Sequence, residues 1–200
     1  MDKPVSMAAR RRSMTGARSR AEGLGFEYLI DNACAYYLSR DIADIEKTPE
    51  PMKPLGNADR AGRFLACFTK KAQPDYSGLL NGGRAIKFEA KHTDSDRITQ
   101  DRVSNAQSLR LASTERLGGV AFVLCSFGSR AFYRVPWAVW RDMKEYFGRK
   151  YITPADVEIY RVKFGGPLLT QPGYIQPMLF EPPKVYEMPP RAGEDPDVLK

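Results

Sequence analysis

Residues 73–93, QPDYSGLLNGGRAIKFEAKHT, predict two β-strands joined by a tight turn. The turn is Asn81-Gly82-Gly83, because glycine tolerates the positive φ that short hairpins demand. Residues two apart on a strand face the same side, so Glu89 and Lys91 point together. Because the chain reverses at the turn, Asp75 returns to the same end of the hairpin. Two carboxylates and one ammonium group are therefore expected to converge there.

This combination of charges is typical of metal-dependent phosphodiester hydrolysis. Carboxylate oxygens hold Mg²⁺, which makes its bound water more acidic and neutralises charge developing on the phosphate. A lysine beside the metal can orient the water or stabilise the transition state as a point charge. Pro74-Asp75 followed by Glu89-Ala90-Lys91 fits the PD-(D/E)xK nuclease signature. A solvated hairpin end with a surface ion pair has the same spacing, so the signature needs support from the rest of the chain.

The charge distribution supplies part of that support. The 200 residues include 31 Lys+Arg and 24 Asp+Glu, giving a net charge of +7. Clustered positive charge is expected of a protein that binds the phosphate backbone of DNA. We predict DNA contacts by two basic clusters, Arg10, Arg11, Arg12, Arg18 and Arg20 in the first and Arg60, Arg63, Lys70 and Lys71 in the second. For residues 10–12 the alternative is a solvated, disordered tail.

The composition also argues against several classes of protein. Hydrophobic residues make up 42% and charged residues 28%, as in a soluble globular domain. No apolar run approaches the roughly 20 residues of a membrane span, and the basic start lacks the apolar stretch of a secretory signal. Cys34, Cys67 and Cys125 are scattered, which argues against a disulfide scaffold and a cysteine zinc site. We therefore expect a cytoplasmic protein with no membrane partner.

The hydrophobic pattern predicts an α/β fold with a mixed central sheet flanked by helices. Helices are expected at residues 17–39, 103–117 and 136–147, and strands at 63–69, 75–80, 84–91, 120–127 and 131–135. Residues 1–14 are expected to be a basic flexible arm, residues 15–164 a nuclease domain, and residues 165–200 a proline-rich, largely irregular extension. Within the domain, residues 47–57 hold three prolines, so a linker or a projecting stalk at about 47–72 is expected.

Several motifs in one order give a closer resemblance. They are Gly23-x-x-x-Glu27-x-x-Ile30, Tyr36-Tyr37, Lys47-Thr48-Pro49-Glu50-Pro51, Asp75-Tyr76-x-Gly78, Phe88-Glu89-Ala90-Lys91, Gln107, Gly118-Gly119, Tyr133, Pro136 and Gly148-Arg149-Lys150. On these motifs, most of residues 17–164 resembles the RecU-type Holliday junction resolvases of the PD-(D/E)xK superfamily. The resemblance implies a restriction-endonuclease-like fold and cleavage of four-way DNA junctions in recombination and repair. It also implies Mg²⁺ as cofactor, with Mn²⁺ able to substitute, and a homodimer, because symmetric cleavage needs two active sites.

The same resemblance assigns site residues. It places Asp75, Glu89, Lys91, Gln107 and Glu27 in catalysis and Asp75, Glu89 and Gln73 at the metal. The family usually has small hydroxyl residues before the aspartate, whereas this chain has Gln73-Pro74 and would have to offer the Gln73 amide oxygen. Ala106 stands where the family commonly has histidine. Glu27 is equally explained as a helix-surface glutamate. For Gln107 the alternative is an ordinary polar helix residue, and a role at the site is favoured.

Two further groups are interpreted as structural. His92 is read as a strand-end residue rather than a general base. Trp137, Trp140, Tyr146 and Phe147 could stack on unpaired bases, but their three- and four-residue spacing favours a core. The alternatives for function are another nuclease of the superfamily, acting on flaps, ends or duplex DNA, and a branched-DNA-binding protein that has lost catalysis.

Overall fold

A computed structural model describes residues 7–49, 51–69 and 73–162, with the backbone alone for residues 7–20 and Phe68. The α-helices in these ranges are α1 Met7–Leu38, α2 Asn105–Arg116, α3 Trp137–Arg141 and α4 Met143–Phe147, and short 3-10 helices lie at Gln100–Arg102 and Ala155–Tyr160. The strands are β1 Ala43–Lys47, β2 Met52–Pro54, β3 Ala66–Phe68, β4 Tyr76–Leu80, β5 Ala85–Thr93, β6 Ile98–Thr99, β7 Val120–Phe127, β8 Ala131–Pro136, β9 Tyr151–Ile152 and β10 Arg161–Val162.

Six of these strands form one mixed sheet in the order β1-β4-β5-β7-β8-β10. The β5–β7 pair is parallel and the other neighbouring pairs are antiparallel. A parallel pair needs a crossover connection, and α2 lies within the segment that joins β5 to β7. The prediction of an α/β fold with a mixed central sheet is thereby confirmed.

Helices cover both faces of the sheet. β7 is therefore buried along its whole length, and its side chains alternate between two cores. Phe122 and Leu124 belong to the core on the α1 side, together with Ile30 of that helix. Val123 and Cys125 belong to the core on the side of α2, α3 and α4. The sheet is therefore the middle layer of three. Successive side chains of a strand point to opposite faces, so alternate residues enter alternate cores.

The β4–β5 hairpin has the predicted turn. Gly82 and Gly83 adopt φ of 87° and 81°, the left-handed region that glycine occupies without steric cost. Tyr76 pairs with Phe88 in register, and their rings stack with centroids 4.8 Å apart. At Gly78 any Cβ would collide with the β1 backbone at the Asp44 carbonyl oxygen, so glycine is required where these strands approach each other.

Several elements differ from those expected. α1 begins at Met7, so residues 7–14 continue a long helix and are not an irregular arm; residues 1–6 lie outside the described residues. β1, β2, β6, β9 and β10 were not predicted. The helix expected at 136–147 is interrupted at Asp142, which separates α3 from α4.

The proline-containing segment forms a small sheet of its own. β2 pairs antiparallel with β3, outside the six-stranded sheet. Residues 51–65 are all exposed, as expected of a projecting hairpin rather than a packed linker. Glu50, Lys70 and Lys71 lie outside the described residues, as does the extension at 165–200.

None of the helices in the described ranges combines the length and apolar character needed to cross a membrane.

Candidate active site

The structure brings Asp75, Glu89 and Lys91 together. Asp75 immediately precedes β4, and the other two lie on β5. Lys91 Nζ is 2.6 Å from Glu89 Oε2 and 3.4 Å from Asp75 Oδ2. The backbone N–H of Ala90 donates a hydrogen bond of 3.0 Å to the same Asp75 oxygen. The two acids therefore share one lysine, and the register of the hairpin holds them at the same end of the sheet.

Strand alternation fixes the face on which this cluster lies. Ile86 and Phe88 belong to the α1-side core, so Glu89 and Lys91 face the α2 side. The neighbouring β4 residue, Tyr76, also packs in the α1-side core, which leaves Asp75 on the α2 side. Two members of the cluster thus lie on the central strand β5, and the third lies at the residue immediately before β4.

Glu89 is the most buried of the three, with no exposed surface. Burial raises the pKa of its carboxyl group to about 8, Lys91 opposes that rise, and Asp75 adds to it. Among the described residues, Glu89 Oε2 has Lys91 as a partner whereas Oε1 has no hydrogen-bond partner. A buried carboxylate oxygen without a partner is costly, and a cation is one means of satisfying it.

A divalent ion fits this set of groups. Two carboxylates are the protein contribution that Mg²⁺ usually takes, with water and substrate oxygens completing its shell. Asp75 also lines a small cavity of about 70 Å³ with Gln73, Glu27 and Lys47. Gln73 is exposed and lines the same cavity as Asp75, and no contact between the two side chains is described.

Glu27 lies on the other side of the cavity. Its Oε2 accepts from Lys47 Nζ at 2.6 Å, and both side chains are partly exposed. In the described part of the chain its contacts do not reach Asp75, Glu89 or Lys91. The structure therefore places Glu27 at the same cavity as Asp75, where Glu27 pairs with Lys47 of β1.

Gln107 has a capping role. Its side-chain oxygen accepts from Ser104 N at 3.0 Å and from Ser104 Oγ at 2.8 Å, while its own N–H donates to that hydroxyl. This capping box starts α2 and is enough to explain a 6% exposed glutamine. Within the described residues, the side chain bonds Ser104 and not the acidic cluster.

The predicted DNA-binding residues are only partly described. Arg60 is exposed on the β2–β3 hairpin, and Arg63 pairs with Asp59 at 3.0 Å. The side chains of the five N-terminal arginines, and Lys70 and Lys71, lie outside the described part of the chain. Trp137 and Trp140 are 3% and 1% exposed, so they are core residues and cannot stack on DNA bases as the chain is folded.

The sequence interpretation missed the environment of His92. This residue follows Lys91, turns toward α1, and meets Glu22 and Asp94. The His-x-Asp spacing at a strand end was a usable signal, but Glu22 lies 70 residues earlier and only the fold brings it near.

Comparison with known proteins agrees with the sequence motifs. The sequence model of one family, described as "RecU: Recombination protein U", matches residues 21–167. A Holliday junction resolvase RecU from Streptococcus gordonii is 30% identical over 72% of this chain and 66% of its own length. Relatives of the same name from Streptococcus sanguinis and Listeria welshimeri are 32% and 30% identical, over 57% and 68% of this chain and 60% and 72% of theirs.

The chain thus spans less than two thirds of the length of the first two of these relatives. Among solved structures, a Holliday junction resolvase from Archaeoglobus fulgidus, Hjc, aligns with a TM-score of 0.42 and 14% identity, over 68% of this chain and 92% of that one. The family match covers well over half of the 200 residues and includes Glu27, Asp75, Glu89, Lys91 and Gln107. The chain belongs to the RecU family.

Proposed function

We propose that this chain is a Mg²⁺-dependent endonuclease that resolves four-way DNA junctions by phosphodiester hydrolysis. The observation that carries the proposal is the buried Glu89, paired with Lys91 beside Asp75 at the end of the central hairpin. Membership of the RecU family supports the junction as substrate, since its curated relatives are named Holliday junction resolvases. Cleavage of junctions places the enzyme in recombination and repair.

Asp75 and Glu89 are the proposed metal ligands. Their oxygens suit Mg²⁺, and Mn²⁺ takes the same carboxylate and water ligands. When bound, the ion would make a water molecule more acidic and neutralise charge on the phosphate. Gln73 would add an amide oxygen from the cavity that it lines with Asp75.

Lys91 has a different role. Its side chain is 14% exposed, whereas that of its partner Glu89 is fully buried. At that position it contacts both acidic side chains before DNA arrives. With DNA bound it supplies a point charge to the water or to the phosphate oxygens, in a site where low exposure strengthens electrostatics.

Gln107 and Glu27 are proposed as supporting residues. Gln107 would act through the start of α2, which it caps on the same face of the sheet as Glu89. Glu27 would act through Lys47 at the shared cavity. Substitution of either residue would change the geometry of the site, although neither residue needs to touch the scissile phosphate.

We assign nuclease activity to residues 15–164 and junction selection to the projecting segment at 47–72. A junction has two symmetric strands to cut, so we also propose a homodimer that presents two active sites. The first basic cluster, the five arginines between residues 10 and 20, would contact phosphates without reading base sequence.

One experiment tests the function directly. The purified protein is incubated with a labelled four-way junction, a flap and a linear duplex, each with Mg²⁺, with Mn²⁺ and with EDTA. We expect paired symmetric nicks in the junction with either metal and none in EDTA. Equal cutting of the flap or duplex would indicate another structure-specific or duplex nuclease. Tight junction binding without cleavage in either metal would indicate a binding protein.

A further inference from the structure

His92 has surroundings that a strand-end histidine does not need. Its side chain is 6% exposed and lies on the α1 face, opposite to Glu89 and Lys91. Its Nε2 is 3.2 Å from Asp94 Oδ1 and 3.5 Å from Glu22 Oε2. The ligand atoms of all three residues lie within 4.8 Å of one another. Two acids from different elements therefore converge on one imidazole nitrogen.

The other ring nitrogen is held independently. His92 Nδ1 is 3.1 Å from Ser126 Oγ on the neighbouring strand, and Ser126 is fully buried. Histidine ligands of metals commonly donate their second N–H to such a partner, which fixes the tautomer and the ring orientation. With Nδ1–H donating to Ser126, the neutral ring turns the Nε2 lone pair toward two carboxylate oxygens. A divalent cation at that point would be held by one nitrogen and two carboxylate oxygens.

A metal ion at this point would meet one nitrogen and two oxygens, which are ligand atoms that zinc binds. Zinc bonds nitrogen and oxygen at about 2.0–2.2 Å, so two ligand atoms of a tetrahedral site lie about 3.3–3.6 Å apart. The separations of 3.2 and 3.5 Å at Nε2 are close to that range. A protonated ring would make the same two contacts without a metal, so a zinc titration distinguishes the two.

We propose that Glu22, His92 and Asp94 bind a divalent transition-metal ion of the Zn²⁺ class, separate from the Asp75–Glu89 cluster. Imidazole nitrogen with two carboxylates suits zinc better than magnesium, which favours oxygen ligands. The side chains of Glu22 and Asp94 are 25% and 40% exposed, which leaves an entry path and a fourth position for water.

Such an ion would tie α1 to the catalytic strand. Glu22 lies on α1, immediately after the basic residues at 18 and 20, while His92 directly follows Lys91 on β5. Metal binding would therefore fix α1, close to its basic residues, against β5, the strand that carries Glu89 and Lys91. The role is a structural link, and it does not depend on the proposed nuclease activity.

The test is a Zn²⁺ titration by calorimetry of the chelator-treated full chain carrying D75N and E89Q. Those two changes remove competing carboxylates at the other cluster. We expect one ion per chain, with E22Q and D94N each weakening affinity at least roughly tenfold. Removing the orienting hydroxyl with S126A should cost about 10–100-fold. The matched control is D44N, a similar loss of charge at an exposed position of β1, which should leave the affinity unchanged.

A second readout follows the imidazole itself. His92 is the only histidine among the 200 residues, so its ring signals in a nitrogen-15 NMR spectrum are assigned without ambiguity. Zinc should shift the Nε2 signal strongly while the proton stays on Nδ1, and Mg²⁺ should leave the Nε2 signal unchanged. Stoichiometric zinc binding that E22Q and D94N leave unchanged would overturn the proposal, as would an imidazole signal that zinc does not move. Because both acids are partly exposed, these variants test the site even where H92A does not fold.

Discussion

Glu89 and His92, three residues apart on β5, face opposite sides of the central sheet. Glu89 meets Lys91 and Asp75 on the α2 side, whereas His92 meets Glu22 on the α1 side. One strand therefore serves two candidate ion sites that share no ligand. Because the sheet separates them, substitutions at one site can be compared with substitutions at the other in the same protein.

Asp75→Asn and Glu89→Gln should abolish junction cleavage while leaving binding intact or stronger. Each change removes a metal ligand and also reduces repulsion of the DNA phosphate. Lys91→Ala should lower the single-turnover rate by at least about 10²–10³-fold, the usual effect of losing a preorganised charge. Rates are measured with saturating protein, and binding by gel shift in EDTA.

Asp44→Asn is the matched control for these variants, because Asp44 is exposed on the edge strand β1. It should cut at the wild-type rate. Wild-type turnover by either of the other two carboxylate variants would remove that residue from the active site.

The raised pKa of Glu89 gives a pH dependence to the stability of the metal-free protein. Burial lifts this pKa from 4.5 to about 8, so the folded state holds a proton that the unfolded state releases. The resulting stabilisation is complete below about pH 4.5 and is lost as pH rises through about 8. Glu89→Gln has no such proton to lose.

Urea unfolding in EDTA measures this effect. The free energy of unfolding of Glu89→Gln, relative to wild type, should increase between acidic and alkaline pH by on the order of a few kcal/mol. Parallel pH profiles for the two proteins would mean that Glu89 keeps an ordinary pKa in the fold.

The sequence predicted the central hairpin and β7 because their signals are local. Glycine at positive φ defines the turn, and an unbroken apolar run defines a strand buried on both faces. β1 has neither signal, since it is an edge strand of five residues with two inward side chains. The break at Asp142 is not marked by proline or glycine, so the aromatic periodicity suggested one continuous helix.

The candidate site was likewise predictable only where its signals are local in the sequence. Asp75, Glu89 and Lys91 converge through strand parity and one hairpin, which sequence spacing determines. The Lys47 partner of Glu27 and the Glu22 partner of His92 depend on how α1 crosses the sheet. Those pairings are tertiary, and one sequence without its fold does not define them.

Deleting residues 1–14 should weaken binding to every DNA shape. The deletion removes three arginines, while the helix from residue 15 onward keeps Arg18 and Arg20. The slope of log affinity against log salt should flatten by roughly 0.9 for each duplex phosphate that the shortened protein no longer neutralises. Salt titrations of junction and duplex binding measure it. An unchanged slope would show that the three arginines do not bind DNA.

Replacing residues 52–68 with a short Gly/Ser link should cost junction affinity more than duplex affinity. This segment is the β2–β3 hairpin, which stands outside the main sheet, and its residues 51–65 are all exposed. A hairpin that carries Arg60 and Arg63 can enter the open centre of a junction and meet phosphates from several strands. A linear duplex has no such cavity, so selection would come from shape rather than from base identity.

The measurement is competition between a four-way junction and its linear arms, made on the folded hairpin variant. The double variant R60A/R63A separates charge from shape, because it keeps the hairpin and removes two cations. If charge alone matters, the double variant should lose affinity for both DNAs as the deletion does. If shape selects the substrate, it should retain most of the junction preference that the deletion abolishes. Equal losses of junction and duplex affinity in the deletion would leave the hairpin with no selective role.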